Sequence, residues 1–540
     1  MFAPLRIFAL HFTLCMLAWQ TSALAEPRTD LFDAARRGDV QALQQQLAQG
    51  ADADQPDASG KTPLILAAAL GRTDIVRVLL KHGVSTATAD RDGQTALILA
   101  ARGGHGRVVE ALLAADTATD PTDKDGMTAL HWAAMRGHHD VAAALVGKGA
   151  DVNALNRAGA TPLHFAVARR DSATARLLAT HDADLEVMDR QSDMTPLLLA
   201  IEQEDPVTAG LLLERGASPD HSDSKQVTPL MLAAAKGLPG IVRDLLERGV
   251  DIDLRNTAGQ SALLMALAAN QGDIAKTLLT RGAAIDIADQ RGTTALMLAA
   301  QAGNTTLVET LLAADADIDQ RNNRGFTALT GAAFGGQPDV VRLLLQRGAD
   351  PQARDTLQRT VLMWAASSGQ VEIMEILLGA GSAINAADTR GTTALMLALA
   401  RPAALAALLS AGADVDRQDS RGFTALMSAA WTGRVKAAQR LLEHSANIDI
   451  KDTTNGRTAL MWSALKGHTA FVSMLLDAGA DAALLDNDGR SAVALAKQYR
   501  QKRIVELFAA RQAATPAGQG RSGALPQTAP DRQSTGGREP

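Results

Sequence analysis

Apolar and polar positions alternate along this chain in a repeated two-stroke pattern. In one instance Leu64, Leu66 and Ala67 open an apolar face, Gly71 interrupts it, Ile75, Val76, Leu79 and Leu80 form a second stripe, and Gly83 ends it. Apolar residues three and four apart share one face of a helix, so each stroke predicts a short amphipathic helix. Thr62 is placed to cap the first helix with its hydroxyl. Pro63 suits the first turn, where its missing N–H has no partner to lose. Gly83 stands where a left-handed residue closes the second helix. The Leu pair of the second stripe returns at Leu112-Leu113, Leu245-Leu246, Leu311-Leu312, Leu377-Leu378 and Leu475-Leu476, and these pairs are predicted core.

The capping residue marks the period. It falls at Thr62, Thr95, Thr128, Thr161, Thr195, Thr228, Ser261, Thr294, Thr327, Thr360, Thr393, Thr424, Thr458 and Ser491, an interval of 33 residues with few exceptions. The fullest copy reads Gly159-Ala160-Thr161-Pro162-Leu163-His164-Phe165-Ala166. This period and the T-P-L-H-x-A core resemble the ankyrin repeat. The resemblance covers roughly residues 31–511. It implies a mainly α fold, an ankyrin solenoid of paired antiparallel helices with β-turn or hairpin fingers, of about 14 full repeats plus an N-terminal capping half-repeat. It also implies a concave groove, lined by fingers and first helices, that receives partners.

The ends read as caps. Residues 31–54 lack the Thr motif but keep two helices, with Phe32, Val40, Leu43 and Leu47 inward and Arg36, Arg37, Gln44 and Gln45 outward. At the other end Lys497, Arg500, Gln501, Lys502 and Arg503 are outward, while Ile504, Val505, Leu507 and Phe508 face back. Asp116, Asp182 and Asp315 replace the closing glycine, and Asp193, Gln226 and Gln358 replace the finger glycine. The copy at Thr393 is two residues short, and Ala400-Arg401-Pro402 replaces the turn between helices, so a local bend or shear is expected there. The repeat's histidine survives only at His131 and His164. Methionine takes its slot at Met231, Met297, Met363, Met396, Met427 and Met461, either as core filling or as soft-metal or oxidisable groups.

Composition narrows the function. A formal charge of −6 lacks the net basic footprint of a general nucleic-acid or membrane-surface binder. Arg6, the apolar run 7–19 and Ala23-Leu24-Ala25 read as an export signal cleaved after Ala25, too short to span a bilayer at ~20 residues. The single cysteine, Cys15, lies in that segment, so the mature chain has no thiol chemistry and no disulfide. The expected layout is a signal peptide at 1–25, a repeat domain at 26–511 and a disordered tail at 512–540, with a periplasmic or secreted location. No membrane span after cleavage, no cofactor and a monomer are expected.

Catalytic constellations are absent. His131, His138, His139 and Asp140 are the repeat's own histidine and turn residues, and Asp52–Asp54 and Asp315–Asp319 lack the glycine and closing glutamate of a calcium loop. The groove holds the candidates. Residues just before each marked Thr and seven after it are mostly small or polar, except Met127 with Met135, Phe326 with Phe334, and Phe423 with Trp431. Each pair is expected to meet on the concave side as an apolar anchor. An arginine row, Arg291, Arg324, Arg359, Arg390, Arg421, Arg457 and Arg490, precedes the later Thr markers. It either orients an acidic protein partner or pairs with finger carboxylates such as Asp289, Asp355, Asp388 and Asp419. The expected function is a non-enzymatic, exported scaffold for a protein partner. The alternatives are a methionine-rich oxidant-buffering or metal-handling envelope protein and a secreted effector.

Overall fold

The computed structural model describes residues 30–514. The export signal expected at 1–25 and residues 515–540 of the expected tail lie outside the described residues. The last helix, Lys502–Ala514, continues past residue 511, where the repeat domain was expected to end.

The chain divides into two units, one ending at Asn323 and one beginning at Arg324. In the first, nine helix pairs run from Leu31–Arg37 with Val40–Ala48 to Ala295–Ala302 with Thr305–Ala313. In the second, six pairs run from Ala328–Gly335 with Pro338–Gln346 to Ala492–Gln498 with Lys502–Ala514. Every first helix after the opening pair begins directly behind its marked Thr or Ser. The hydroxyls act as caps: Thr62 accepts from the Ile65 N–H at 3.3 Å, and Ser491 from the Ala494 N–H at 3.3 Å.

The fingers are loops, with isolated antiparallel bridges such as Ala89 to Thr95 and Arg354 to Thr360. An Asp or Asn organises most of them. Asp123, for example, accepts the N–H groups of Asp125 and Met127, both at 2.9 Å. Successive fingers are stitched by backbone bonds such as Thr356 N–H to the Arg324 carbonyl and Asn487 N–H to the Asn455 carbonyl, both 2.9 Å. The substituted positions take the left-handed conformation: φ is 51° at Asp116, 58° at Asp182 and 65° at Asp315, and 58–59° at Asp193, Gln226 and Gln358.

The core is a ladder of small and branched side chains. Leu112, Leu245, Leu311, Leu377 and Leu475 are fully buried. Of their successors only Leu113 is buried; Leu246, Leu312, Leu378 and Leu476 are half-buried, so one leucine of each pair carries most of the packing. At the ends Leu43, Leu47, Ile504 and Phe508 are buried, while Arg36, Arg37, Lys502 and Arg503 face solvent. Among the described residues no helix is long and apolar enough to cross a membrane.

The irregularity at the short copy is a truncated first helix. It runs only Ala394–Leu397 and closes through a 3-10 turn, Ala398–Ala400, before Pro402 starts the next helix. Its neighbours, Val361–Ser368 and Ala425–Thr432, end on left-handed Gly369 and Gly433. The short copy has no such residue, and Arg401 bridges the two helices in an extended conformation at φ −123°.

Candidate protein-interaction site

In the second unit the fingers and first helices gather six aromatic side chains into two clusters of one design. Phe423 stands just before its Thr and Trp431 seven after it, and Trp462 comes from the next copy, four after Thr458. Ring centroids lie 6.3 Å apart for Phe423 and Trp431, 5.2 Å for Phe423 and Trp462, and 4.9 Å for Trp431 and Trp462. Trp462 is buried and its Nε1 donates to Asp452 Oδ2 at 2.9 Å, so the platform cannot rotate freely. Trp431 is 42% exposed, with Lys466 Nζ 3.5 Å above its ring. A cleft of about 160 Å³ opens between Arg421, Phe423, Ser428, Trp431 and Thr432.

The second cluster uses the same slots. Phe326 and Phe334 both meet Trp364 edge-on, at 5.3 and 6.0 Å. Trp364 Nε1 donates to Asp355 Oδ2 at 3.3 Å, and the Arg359 guanidinium lies 4.1 Å from its ring centre. Phe334 is 52% exposed. Phe423 thus meets Trp431 directly, whereas Phe326 and Phe334 each meet Trp364.

Trp364 and Trp462 were absent from the sequence-derived site. Their signal is a Trp four residues after the marked Thr in the copy following each pair, with an Asp five or six before that Thr. Trp132 obeys the same rule, donating to Asp123 at 2.8 Å, but there Arg102 covers the ring at 4.8 Å.

Two expectations change. Met127 is 3% exposed, buried under its finger where its sulfur accepts from Asn156 Nδ2 at 3.4 Å, so it is not a surface anchor; Met135 is half-buried. Phe423 is buried at 7%, and Trp431 is the part of that pair that a partner reaches.

The arginine row is not a uniform ridge. Arg457 is 8% exposed, its Nε donates to Asp486 at 3.2 Å and its guanidinium stacks 4.9 Å from the Trp462 ring, so it holds the fold together and does not point outward. Arg359 bonds Asp355 at 2.8 Å and Arg490 bonds Asp486 at 3.0 Å. Burial pushes the Asp486 carboxyl up, but hydrogen bonds from Arg490 and Arg457 more than offset this and hold it below its usual range. Arg421 reaches Asp419 at 2.9 Å yet stays exposed, with its guanidinium 4.8 Å from the Phe423 ring. Arg324 and Arg390 are exposed in the second unit; Arg291 is exposed in the first.

A family model for ankyrin repeats in three copies matches residues 31–125, 115–189, 258–355, 362–452 and 446–516, and one for ankyrin repeats in many copies matches 212–266. The chain belongs to the ankyrin-repeat family. Ankyrin repeats are generally protein–protein interaction modules. Curated relatives match short stretches. Ankyrin repeat domain-containing protein 40 of Mus musculus is 31% identical over 77 residues, 14% of this chain and 21% of that protein. Palmitoyltransferase ZDHHC17 of Homo sapiens is 36% identical over 83 residues, 15% of this chain and 13% of that enzyme. The match thus spans about a fifth or less of each relative's length.

The two histidines left at the repeat's T-P-L-H position are internal staples. His131 Nδ1 accepts from the Thr128 N–H at 3.2 Å, which leaves Nε2 to donate to the Ala160 carbonyl of the next finger at 3.1 Å. His164 repeats this with Thr161 and Met194. Burial pushes the His131 imidazole down to about 4, and pushes His164 down as well. The methionines in this slot are all buried, which is the core-filling arrangement. Among the described residues no three His, Cys, Asp or Glu side chains gather as a metal site.

Proposed function

We propose that this ankyrin-repeat protein is a non-enzymatic scaffold that captures a protein partner on the second unit, with Phe334 and Trp431 as its outward anchors. The supporting observation is that these two large apolar side chains, 52% and 42% exposed, occupy the same repeat slot, each resting against a Trp whose indole is tied to a finger Asp. Exposed aromatics on a rigid platform lose little entropy on binding and are typical binding hot spots. Lys466 and Arg421 beside Trp431 and Phe423, with Arg390 in the intervening copy, favour an acidic partner surface. Residues 1–25 are an export signal in this reading, placing the cysteine-free mature scaffold in a periplasm or outside the cell.

The test is capture from an extract of the source organism with the mature chain and with a Phe334→Ala/Trp431→Ala variant. Both side chains are exposed, so the variant should keep its thermal transition. A partner retained by the native chain and lost by the variant supports the reading; a partner captured equally by both overturns the site.

A further inference from the structure

The shortened copy creates a second feature, on the second helices and away from the aromatic clusters. A cavity of about 540 Å³ lies between the helices Pro402–Ser410 and Val435–Glu443. Its floor is apolar: Leu399 from the 3-10 turn that replaces the lost residues, with Pro402, Leu405 and Ala437. Helix Pro402–Ser410 has no charged residue, and Ser410 is its only polar side chain.

Three cations line the same cavity: Arg434, Lys436 and Arg440. All three are exposed, and none forms an ion pair within the described residues. The one carboxylate on their helix, Glu443, is at its far end. Arg434 caps that helix without a side-chain hydrogen bond, so the amide groups of the first turn add positive potential where Lys436 and Ala437 border the cavity. Size alone does not set this cavity apart. A cleft of about 520 Å³ around Leu279 and Thr310 in the first unit is bordered by Asp286 and by no cation.

We propose that this cavity is a binding site for a single amphipathic carboxylate, with its alkyl chain on the apolar floor and its carboxylate held by Arg434, Lys436 and Arg440. Its volume falls within the ~300–1,000 Å³ of small-molecule sites. The preceding second helix, Val371–Gly379, carries no cation, only exposed Glu375 and a Glu372 already paired with Arg342, so the cationic lining is confined to this one cavity. Neither half of the ligand suffices: the cations lose hydration to a bare anion, and an uncharged chain leaves them facing one another.

Isothermal titration of the mature chain with dodecanoate, dodecanol and acetate, below the concentration at which dodecanoate aggregates, tests this. Dodecanoate should bind one per chain, dodecanol at least about ten-fold more weakly, and acetate not measurably. Lys436→Glu/Arg440→Glu should weaken dodecanoate at least about ten-fold with an unchanged thermal transition, whereas Lys276→Glu, on a second helix of the first unit, should have no effect. Absence of dodecanoate binding, equal binding of dodecanol, or equal loss in the Lys276→Glu control would each overturn the proposal. Binding of an acidic peptide at this site in place of dodecanoate would overturn it too, in favour of a protein ligand.

Discussion

The indole Nε1 of Trp462 donates to Oδ2 of Asp452 at 2.9 Å, and both residues are buried. The same Asp452 accepts the N–H groups of Thr454, Asn455 and Arg457, so the bond ties the aromatic platform to the turn of its finger. Trp462→Phe keeps an aromatic side chain but deletes the donor together with the five-membered ring that carries it. It should cost about 1–3 kcal/mol, the range for leaving a buried acceptor short of a partner. Hydrogen exchange at the Thr454 and Asn455 amides should quicken while distant fingers are unchanged; unaltered exchange there would mean the bond does not hold the turn.

The buried histidines make the first unit sensitive to acid. An unfolded imidazole titrates near 6.5, and His131 in the fold titrates at about 4. Between those values the unfolded chain takes up a proton that the folded chain refuses, so stability is full above about 6.5 and falls as pH drops toward 4. The gap corresponds to a loss on the order of 3 kcal/mol for His131, with His164 adding in the same direction. The His131→Met/His164→Met variant, which uses the residue the array places in this slot elsewhere, should lose most of that pH dependence. Exchange protection of the 128–165 region at pH 7.5 and pH 5 is the measurement, and an equally steep loss in the variant would contradict the assignment.

Two glycines of like conformation should behave differently. Gly412 has φ 83° and open space where a Cβ would stand, so Gly412→Ala meets only left-handed strain, about 1–2 kcal/mol. Gly422 has φ 79°, and a Cβ there would lie 2.2 Å from the backbone nitrogen of Thr453, whose N–H donates to the Arg421 carbonyl at 3.1 Å. Gly422→Ala must push the two fingers apart and should lower the second unit's unfolding midpoint clearly further. Equal midpoints would show that the fingers are loosely stitched.

What the sequence makes legible here is local. A Thr that caps, a Pro in the first turn and an Asp standing in for a left-handed Gly each act within a few residues, so Thr62, Pro63 and Asp116 could be placed by pattern alone. Contacts across the period are another matter. Arg457 and Arg421 look equivalent in the row, yet Arg421 folds back on Asp419 two residues away and Arg457 reaches Asp486 in the next finger. Arg457 finds its carboxylate in the next copy, a contact that no pattern within one repeat announces. Met127 was misjudged for the same reason: its slot is open in one repeat and covered by Asn156 of the next. The short copy was visible as a two-residue deficit, but the cavity it leaves depends on Arg434, Lys436 and Arg440 of the following copy.

The central claim is that a protein partner docks on the face that carries Phe334 and Trp431. The most direct measurement places a photo-crosslinking amino acid at each of those positions in turn, and at Lys276 as a control, and irradiates the mature chain in extract of the source organism. One shared protein adduct is expected from positions 334 and 431 and none from 276. No adduct from either aromatic position, or the same adduct from all three, would contradict it.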